Sequence, residues 1–128
     1  MRENRNILKE VSAGYCVPPE IVVSILLVET RLGSNTGRSI VFNRLASMAS
    51  CTDIDTIKPY LGRTLTAADE DYARTVCRQK ADWAYNELKA LLNYAGEKGV
   101  DPLGIRGSIY GAIGLCQFMP SNVFSFGV

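Results

Sequence analysis

The 128-residue chain contains no histidine, and this absence excludes several kinds of catalytic site. Ser-His-Asp and Cys-His catalysis, histidine-ligated zinc and the usual proton shuttle at neutral pH all need an imidazole. Any acid–base chemistry near neutral pH must therefore use Asp, Glu, Lys, Tyr or Cys.

The chain also lacks a strong net charge and a long apolar run. Its formal net charge is +1 and its basic residues are scattered, so we do not expect it to bind nucleic acid. The longest apolar stretch, residues 21–28, is interrupted by Ser24 and is too short to span a bilayer. Residues 1–4 are not followed by the apolar segment of a secretion signal. A periplasmic location would require a leader that this sequence does not carry.

Four cysteines are widely spaced, and no two of them form a CxxC motif. Their even number suits disulfides formed in an oxidising compartment, but free thiols in a core would give the same pattern. Both interpretations stay open for the set, which comprises Cys16, Cys51, Cys77 and Cys116. If a disulfide forms, we favour Cys51 with Cys77, because these two flank one polar segment.

The apolar spacing predicts a single all-α domain without repeats or strands. Pro18, Pro19 and Glu20 suit a helix start, because proline is tolerated in a first turn and an acidic side chain favours the positive helix end. Thr66 and Asp69 have the spacing of a capping box. The predicted helices cover residues 2–14, 21–32, 38–50, a long stretch from 66 to Gly96 or Gly99, and a short stretch near 109–118.

One side of each predicted helix is expected to face the core. The side chains assigned to it are Ile7, Leu8 and Val11; Val22, Ile25, Leu26 and Leu32; Val41, Leu45 and Met48; and Trp83, Leu88, Leu91 and Leu92.

Glu29 is the carboxylic acid that the sequence singles out. Apolar residues precede it, and it lies at the negative end of a helix dipole, so both surroundings would favour the protonated form that a general acid needs. The alternative is that Glu29 is simply an exposed residue at the solvated end of an amphipathic helix. Composition alone favours this second interpretation.

Two segments resemble lytic murein transglycosylases of the membrane-bound B type. Residues 17–23, leading into Val28-Glu29-Thr30-Arg31-Leu32-Gly33, resemble the family's helix that carries the catalytic acid. Residues 107–121 resemble its glycine-rich motif, which ends in Gln-Phe-Met-Pro-Ser. The two segments stand in the family's order and at about its spacing, and the resemblance spans roughly residues 15–124.

The resemblance implies a lysozyme-like helical domain with a glycan-binding cleft. It assigns the catalytic acid to Glu29 and implies neither a metal nor a cofactor. The implied substrate-binding residues are Ser108, Tyr110, Gln117, Phe118 and Lys80. Lys80 belongs to Arg78-Gln79-Lys80, where many family members have an Arg-Arg pair. The glycines of the motif would either bring backbone close to a sugar or serve tight packing.

The implied reaction cleaves the bond between N-acetylmuramic acid and N-acetylglucosamine without water and leaves a 1,6-anhydro sugar. The implied partner is a peptidoglycan strand, bound by a monomer in the periplasm or cell envelope, with membrane attachment only through a lost leader. We expect residues 1–128 to be one catalytic domain, cut short at its C-terminal end. Alternatives are a hydrolytic muramidase, a non-catalytic peptidoglycan-binding module and a plain helical interaction domain.

Overall fold

The computed structural model describes residues 4–62 and 64–126 as five helices with two very short strands. In chain order the elements are α1 (Arg5–Tyr15), α2 (Pro19–Thr30), β1 (Ser39–Ile40), α3 (Val41–Ala49), two 3-10 turns (Ile54–Thr56 and Lys58–Tyr60), α4 (Ala67–Lys98), β2 (Arg106–Gly107) and α5 (Pro120–Phe126). The strands pair antiparallel, with Ser39 opposite Gly107. The all-α prediction is confirmed, with this small β-ladder as an addition.

The predicted helix starts are confirmed where local chemistry is strong. Helix α2 begins at Pro19, in the first turn where proline is tolerated. At the start of α4, Thr66 and Asp69 form both bonds of a capping box. The long helix is unbroken and ends at Gly99, whose left-handed backbone (φ 64°) caps it.

The glycine-rich segment is not helical, so the short helix predicted near 109–118 is wrong. Gly111, Gly114 and Gln117 all have positive φ angles, of 96°, 72° and 51°, which a right-handed helix does not allow. The chain instead folds into turns in which Ile113 pairs with both Gly107 and Phe118. Helix α2 also ends earlier than predicted, because Arg31 and Leu32 are left-handed.

The core lies between α3, α4 and the segment leading into α5. Its buried members are Val41, Leu45, Leu91 and Ile113. On α4 the buried stripe follows a spacing of three to four residues: Ala81, Ala84, Glu87, Leu91 and Ala95. Trp83 and Leu92 each lie one position off this stripe and are 39% and 44% exposed, so their assignment to the core is wrong.

Helices α1 and α2 form a hairpin that buries little. No residue of α1 is buried, and Thr30 is the buried residue of α2. Of the side chains assigned to the core here, Ile7, Val11, Ile25 and Leu32 are exposed. Among the described residues no single helix is long and apolar enough to cross a membrane; α1 and α2 meet that measure only as a pair, bent by 115°.

The four cysteines are free thiols in the structure. Cys16 and Cys116 are exposed, whereas Cys51 and Cys77 are half-buried. Cys51 and Cys77 both line one cavity. The two residues favoured as a pair are therefore neighbours, without a bond between their sulfur atoms.

Candidate active site

Glu29 is the penultimate residue of α2, and its side chain is exposed. Within the part of the chain that the structure describes, its carboxylate has neither an ion-pair nor a hydrogen-bond partner. The expectation that apolar side chains enclose it is wrong, because Leu27 and Val28 are themselves 53% and 81% exposed. Its position at the negative end of the helix dipole is as predicted. The structure thus presents an unpartnered carboxylate at the end of a helix.

Thr30, the residue after Glu29, fixes the end of α2 to the glycine-rich segment. Its side chain is fully buried. Its hydroxyl lies 3.2 Å from the carbonyl oxygen of Leu26 and 3.1 Å from that of Leu115, and it accepts a bond from the N–H of Gly33 at 3.1 Å. One buried hydroxyl therefore links two segments that are 85 residues apart.

The loop after α2 packs directly on the backbone of the glycine-rich segment. A Cβ atom at Gly37, where φ is 92°, would collide with the carbonyl of Gly107 and lie 2.6 Å from the backbone nitrogen of Ser108. A Cβ atom at Gly33 would lie 2.7 Å from Cδ2 of Leu115. These glycines permit an approach that any side chain would prevent.

Two glycines of the motif serve packing inside the protein. A Cβ atom at Gly107 would collide with the carbonyl of Ala112, and one at Gly111 would lie 2.9 Å from Cδ2 of Leu45. Gly114 instead faces open space. Of the two interpretations offered for these glycines, tight packing holds for Gly107 and Gly111.

Gln117 joins the motif to the loop after α2. Its amide nitrogen donates to the carbonyls of Thr36 at 3.2 Å and Gly114 at 2.9 Å. Both bonds use the amide nitrogen, so the amide oxygen has no protein partner among the described residues.

Ser108 lies at the start of the motif and is half-buried. Its hydroxyl oxygen accepts from the backbone N–H of Ala112 at 3.0 Å and of Tyr110 at 3.3 Å. Because both bonds are accepted, the hydroxyl proton remains available to an acceptor outside this turn.

Lys80 and Tyr110 come together across the face of the domain. The ammonium group of Lys80, on α4, lies 6.0 Å from the centre of the Tyr110 ring. This is the outer limit of a cation–π contact, and both side chains are exposed. The structure thus joins a predicted residue of α4 to one of the glycine-rich segment.

Phe118 lies apart from that pair. Its backbone exchanges two hydrogen bonds with Ile113, at 2.8 and 3.2 Å. Its side chain lines a cavity of 740 Å³ that also includes Tyr94, Ile105 and Val123. A different concavity, of 560 Å³, is formed by the loop after α2 and is lined by residues 31 and 34–38, including Arg31 and Arg38.

Sequence reasoning missed Glu87, which holds the end of the motif. This carboxylate is only 6% exposed, and it accepts bonds from Ser121, at 3.0 Å from the backbone nitrogen and 2.7 Å from the hydroxyl. Glu87 lies on the buried stripe of α4, three residues after Ala84 and four before Leu91, and this spacing could have predicted that it is buried. A carboxylate in a stripe of apolar residues needs a buried partner.

The structure therefore brings Ser108 and Gln117 to the loop that begins two residues after Glu29. Neither side chain forms a hydrogen bond with Glu29 within the described residues. Over residues 4–62 and 64–126, no three Cys, Asp or Glu side chains form a group that could hold a metal ion. The arrangement places one hydroxyl and one amide at the loop, and one acid on the last turn of the helix that leads into it.

Comparisons with known proteins give one consistent result. A family model described as Transglycosylase SLT domain matches residues 1–128. The chain is 32% identical over 114 residues to membrane-bound lytic murein transglycosylase B of Escherichia coli strain K12. The matched region covers 89% of this chain and 25% of that protein. Soluble lytic transglycosylase SltB1 from Pseudomonas aeruginosa superposes with a TM-score of 0.74 and 33% identity, over 99% of this chain and 34% of that one.

A second Pseudomonas aeruginosa protein, SltB3, has been solved with NAG-NAM-pentapeptide and with NAG-anhNAM-pentapeptide. It superposes with TM-scores of 0.71 and 0.72 at 28% identity, over 99% of this chain and 27% of that one. The present chain thus spans between a quarter and about a third of the length of these relatives.

Proposed function

This chain belongs to the transglycosylase SLT domain family, and on that premise we propose that it cleaves murein glycan strands between N-acetylmuramic acid and N-acetylglucosamine. The reaction uses no water and leaves a 1,6-anhydromuramyl end. The observation that carries the proposal is the unpartnered carboxylate of Glu29, which directly precedes Thr30, the residue whose hydroxyl bonds the glycine-rich segment. Relatives named as lytic transglycosylases support the reaction type.

A single acid suits this chain better than a pair. Glycosidases that use water generally place two carboxylates on either side of the bond they cleave. Here the other carboxylates for which the structure shows partners are already engaged: Asp53 and Asp55 with Arg74, Glu70 with Lys58, Asp69 with Thr66, and Glu87 with Ser121. We propose that Glu29 acts alone, first as an acid and then as a base.

The proposed steps return Glu29 to its starting state. Protonated Glu29 gives its proton to the glycosidic oxygen, and the bond from that oxygen to C1 of the muramyl sugar breaks. The N-acetyl oxygen of the same sugar stabilises the positive charge at C1. Glu29, now a carboxylate, takes the proton of the muramyl 6-hydroxyl while that oxygen bonds to C1. A group that donates and then accepts a proton gives both steps acid–base assistance.

The remaining site residues are assigned to substrate binding. The hydroxyl proton of Ser108 and the amide oxygen of Gln117 are free to bond sugar substituents, and the Tyr110 ring with Lys80 offers an exposed face to the glycan or its peptide. Phe118 lines a separate cavity, so its contribution is to hold the turn that carries Gln117. We propose that the chain acts as one catalytic domain, as a monomer and in the cell envelope, where murein is found.

The test is a murein digest with Glu29→Gln and a matched variant, Glu20→Gln. Both residues are exposed and lie on α2, so the two changes remove the same charge from the same helix. We expect wild type and Glu20→Gln to release anhydromuropeptides, and Glu29→Gln to lose roughly 10²–10⁴-fold in rate.

The products are identified by mass spectrometry, because an anhydro product is lighter than a hydrolysed one by one water. Undiminished anhydro products from Glu29→Gln would overturn the role of Glu29. Hydrolysed products would identify a muramidase, and glycan binding without turnover would identify a binding module.

A further inference from the structure

We propose that Cys51 and Cys77 form an intramolecular disulfide when the protein meets an oxidising disulfide, and that this bond fastens the segment after α3 to helix α4. Nothing in the proposed transglycosylase reaction uses either thiol, so this modification site stands independently of it. The partner is a molecule of defined chemistry: a disulfide, from a protein oxidoreductase or from glutathione disulfide.

The two cysteines lie near each other. Both side chains are half-buried, and both line the same cavity between the segment after α3 and helix α4. Burial raises the pKa of the Cys77 thiol, and the nearby Cys51 thiol and Asp53 raise it further. Disulfide formation then requires the two side chains to adopt the specific geometry of a sulfur–sulfur bond.

The backbone on each side of the pair is held in place by other bonds. Cys51 donates its N–H to the carbonyl of Met48 at 3.1 Å, which ties it to the end of α3. Arg74, one turn before Cys77 on α4, lies 2.7 Å from Asp53 and 3.6 Å from Asp55. These contacts hold the segment that carries Cys51 against the part of α4 that carries Cys77.

The existing ion pairs contribute little to holding the segment against α4. A disulfide would therefore add stability to this contact. The side chains of Arg74, Asp53 and Asp55 are 39%, 50% and 57% exposed, and exposed pairs contribute little to stability. The segment and helix α4 together line a cavity of 440 Å³. The cavity lining is mostly apolar and includes Met48, Ile57, Leu61 and Val76. A disulfide would fix the segment to α4 across this cavity.

The proposed thiol–disulfide exchange needs only the two cysteines and the incoming disulfide. One cysteine, as thiolate, attacks a sulfur of the incoming disulfide and releases its first thiol, which leaves a mixed disulfide on the protein. The second cysteine then attacks that mixed bond, forms the Cys51–Cys77 bond and releases the second thiol. The protein loses two electrons and two protons, and the incoming disulfide becomes two thiols.

Cys16 and Cys116 provide the comparison within the chain. Both are exposed, Cys16 at the left-handed end of α1 and Cys116 in the glycine-rich turns. Neither of them lines the cavity that Cys51 and Cys77 share. We expect them to react with added reagents first and to remain without an intramolecular partner.

The experiment uses a Cys16→Ser/Cys116→Ser variant, which retains only the proposed pair, with a third change, Cys51→Ser, as the matched control. After incubation with glutathione disulfide, the double variant is expected to lose two hydrogen masses and to yield a peptide in which Cys51 and Cys77 are linked. Closing a loop of roughly 26 residues should raise its Tm by about 10 °C over the reduced form. The control should show neither change.

Differential alkylation of the wild-type chain repeats the measurement without substitutions. After the same incubation, Cys16 and Cys116 should either label or carry glutathione, whereas Cys51 and Cys77 should carry neither the label nor glutathione until a reductant is added. Two alkylatable thiols at positions 51 and 77 after oxidation, or links between chains only, would overturn the proposal. A linked pair without a rise in Tm would overturn the fastening role.

Discussion

The two halves of the molecule are built in opposite ways. Helices α3 and α4 and the turns before α5 share a core in which Val41, Leu45 and Leu91 are fully buried. The hairpin of α1 and α2 is just as apolar in sequence, yet it leaves side chains such as Ile25 and Leu27 exposed. Stability therefore resides in the part formed by α3, α4 and the turns before α5, whereas Glu29, the candidate acid, lies on the hairpin of α1 and α2.

The difference shows how Glu29 is positioned. Helix α2 is not held along its length, because its apolar side chains have few partners. It is held at its C-terminal end, where Thr30 and the glycines of the following loop meet the glycine-rich segment. Disturbing this junction should slow catalysis even in protein that remains folded, whereas disturbing the core should act chiefly on stability.

The largest expected effect is a difference in the free energy of unfolding between two leucine-to-alanine variants, one in the core and one on α2. Leu91→Ala removes a fully buried side chain and should lower the free energy of unfolding by about 4 kcal/mol. Leu27→Ala, at an exposed position on α2, should change it by about 0.5 kcal/mol or less. Urea unfolding of both variants measures the contrast. Similar losses at the two sites would mean that α2 is packed as firmly as the core.

The next effect tests the close approach at the junction. Gly37→Ala combines a positive φ of 92° with a collision against the carbonyl of Gly107, and should cost about 3 kcal/mol. Gly62→Ala is the matched control: φ is 64°, but a Cβ atom there meets nothing within 4 Å, so only the strain of roughly 1 kcal/mol remains. Thermal unfolding compares them, and a murein digest of folded protein should show slower cleavage for Gly37→Ala alone. Equal costs would rule out the collision as the cause.

Local signals in the sequence predicted the helices well. The capping box at Thr66, the prolines before α2 and Gly99 at the end of α4 each act within a few residues, so their effect is readable without the rest of the fold. The segment 109–118 was not readable in this way. Its glycines and Gln117 adopt left-handed backbone because the segment packs against α3 and the loop after α2, which are distant in sequence.

Burial was predicted well for α3, in part for α4, where Leu91 is buried and Leu88 packs against the core, and poorly for α1 and α2. Val41 and Leu45 are buried as expected, because α3 packs on α4 along one clear stripe. On α4 the stripe includes alanines and Glu87, so the large residues Trp83 and Leu92 misled the prediction by one position. For α2 an apolar composition gives no stripe at all, and only tertiary contacts reveal that Thr30 is its buried residue.

The site was predicted as a set of residues and not as a geometry. The resemblance selected Glu29, Ser108 and Gln117, and the structure brings the last two to the loop that follows α2. It could not indicate that Thr30 holds the middle of the glycine-rich segment, at Leu115. That bond joins segments 85 residues apart and leaves no periodic trace in the sequence, whereas Glu87, which holds Ser121, lies on the buried stripe of α4.

The smallest effect is expected at Thr30, and it tests the junction most directly. Thr30→Val keeps the shape of the side chain but removes the hydroxyl shared by Leu115 and Gly33, which should cost about 1–2 kcal/mol. Thr75→Val is the control, because Thr75 is exposed and its hydroxyl bonds the carbonyl of Asp71, one turn earlier in its own helix. We expect Thr30→Val to slow murein cleavage several-fold in protein that remains folded by circular dichroism, and Thr75→Val to leave the rate unchanged. If the Thr30 variant cleaves at the wild-type rate, the end of α2 is held by the glycine packing alone.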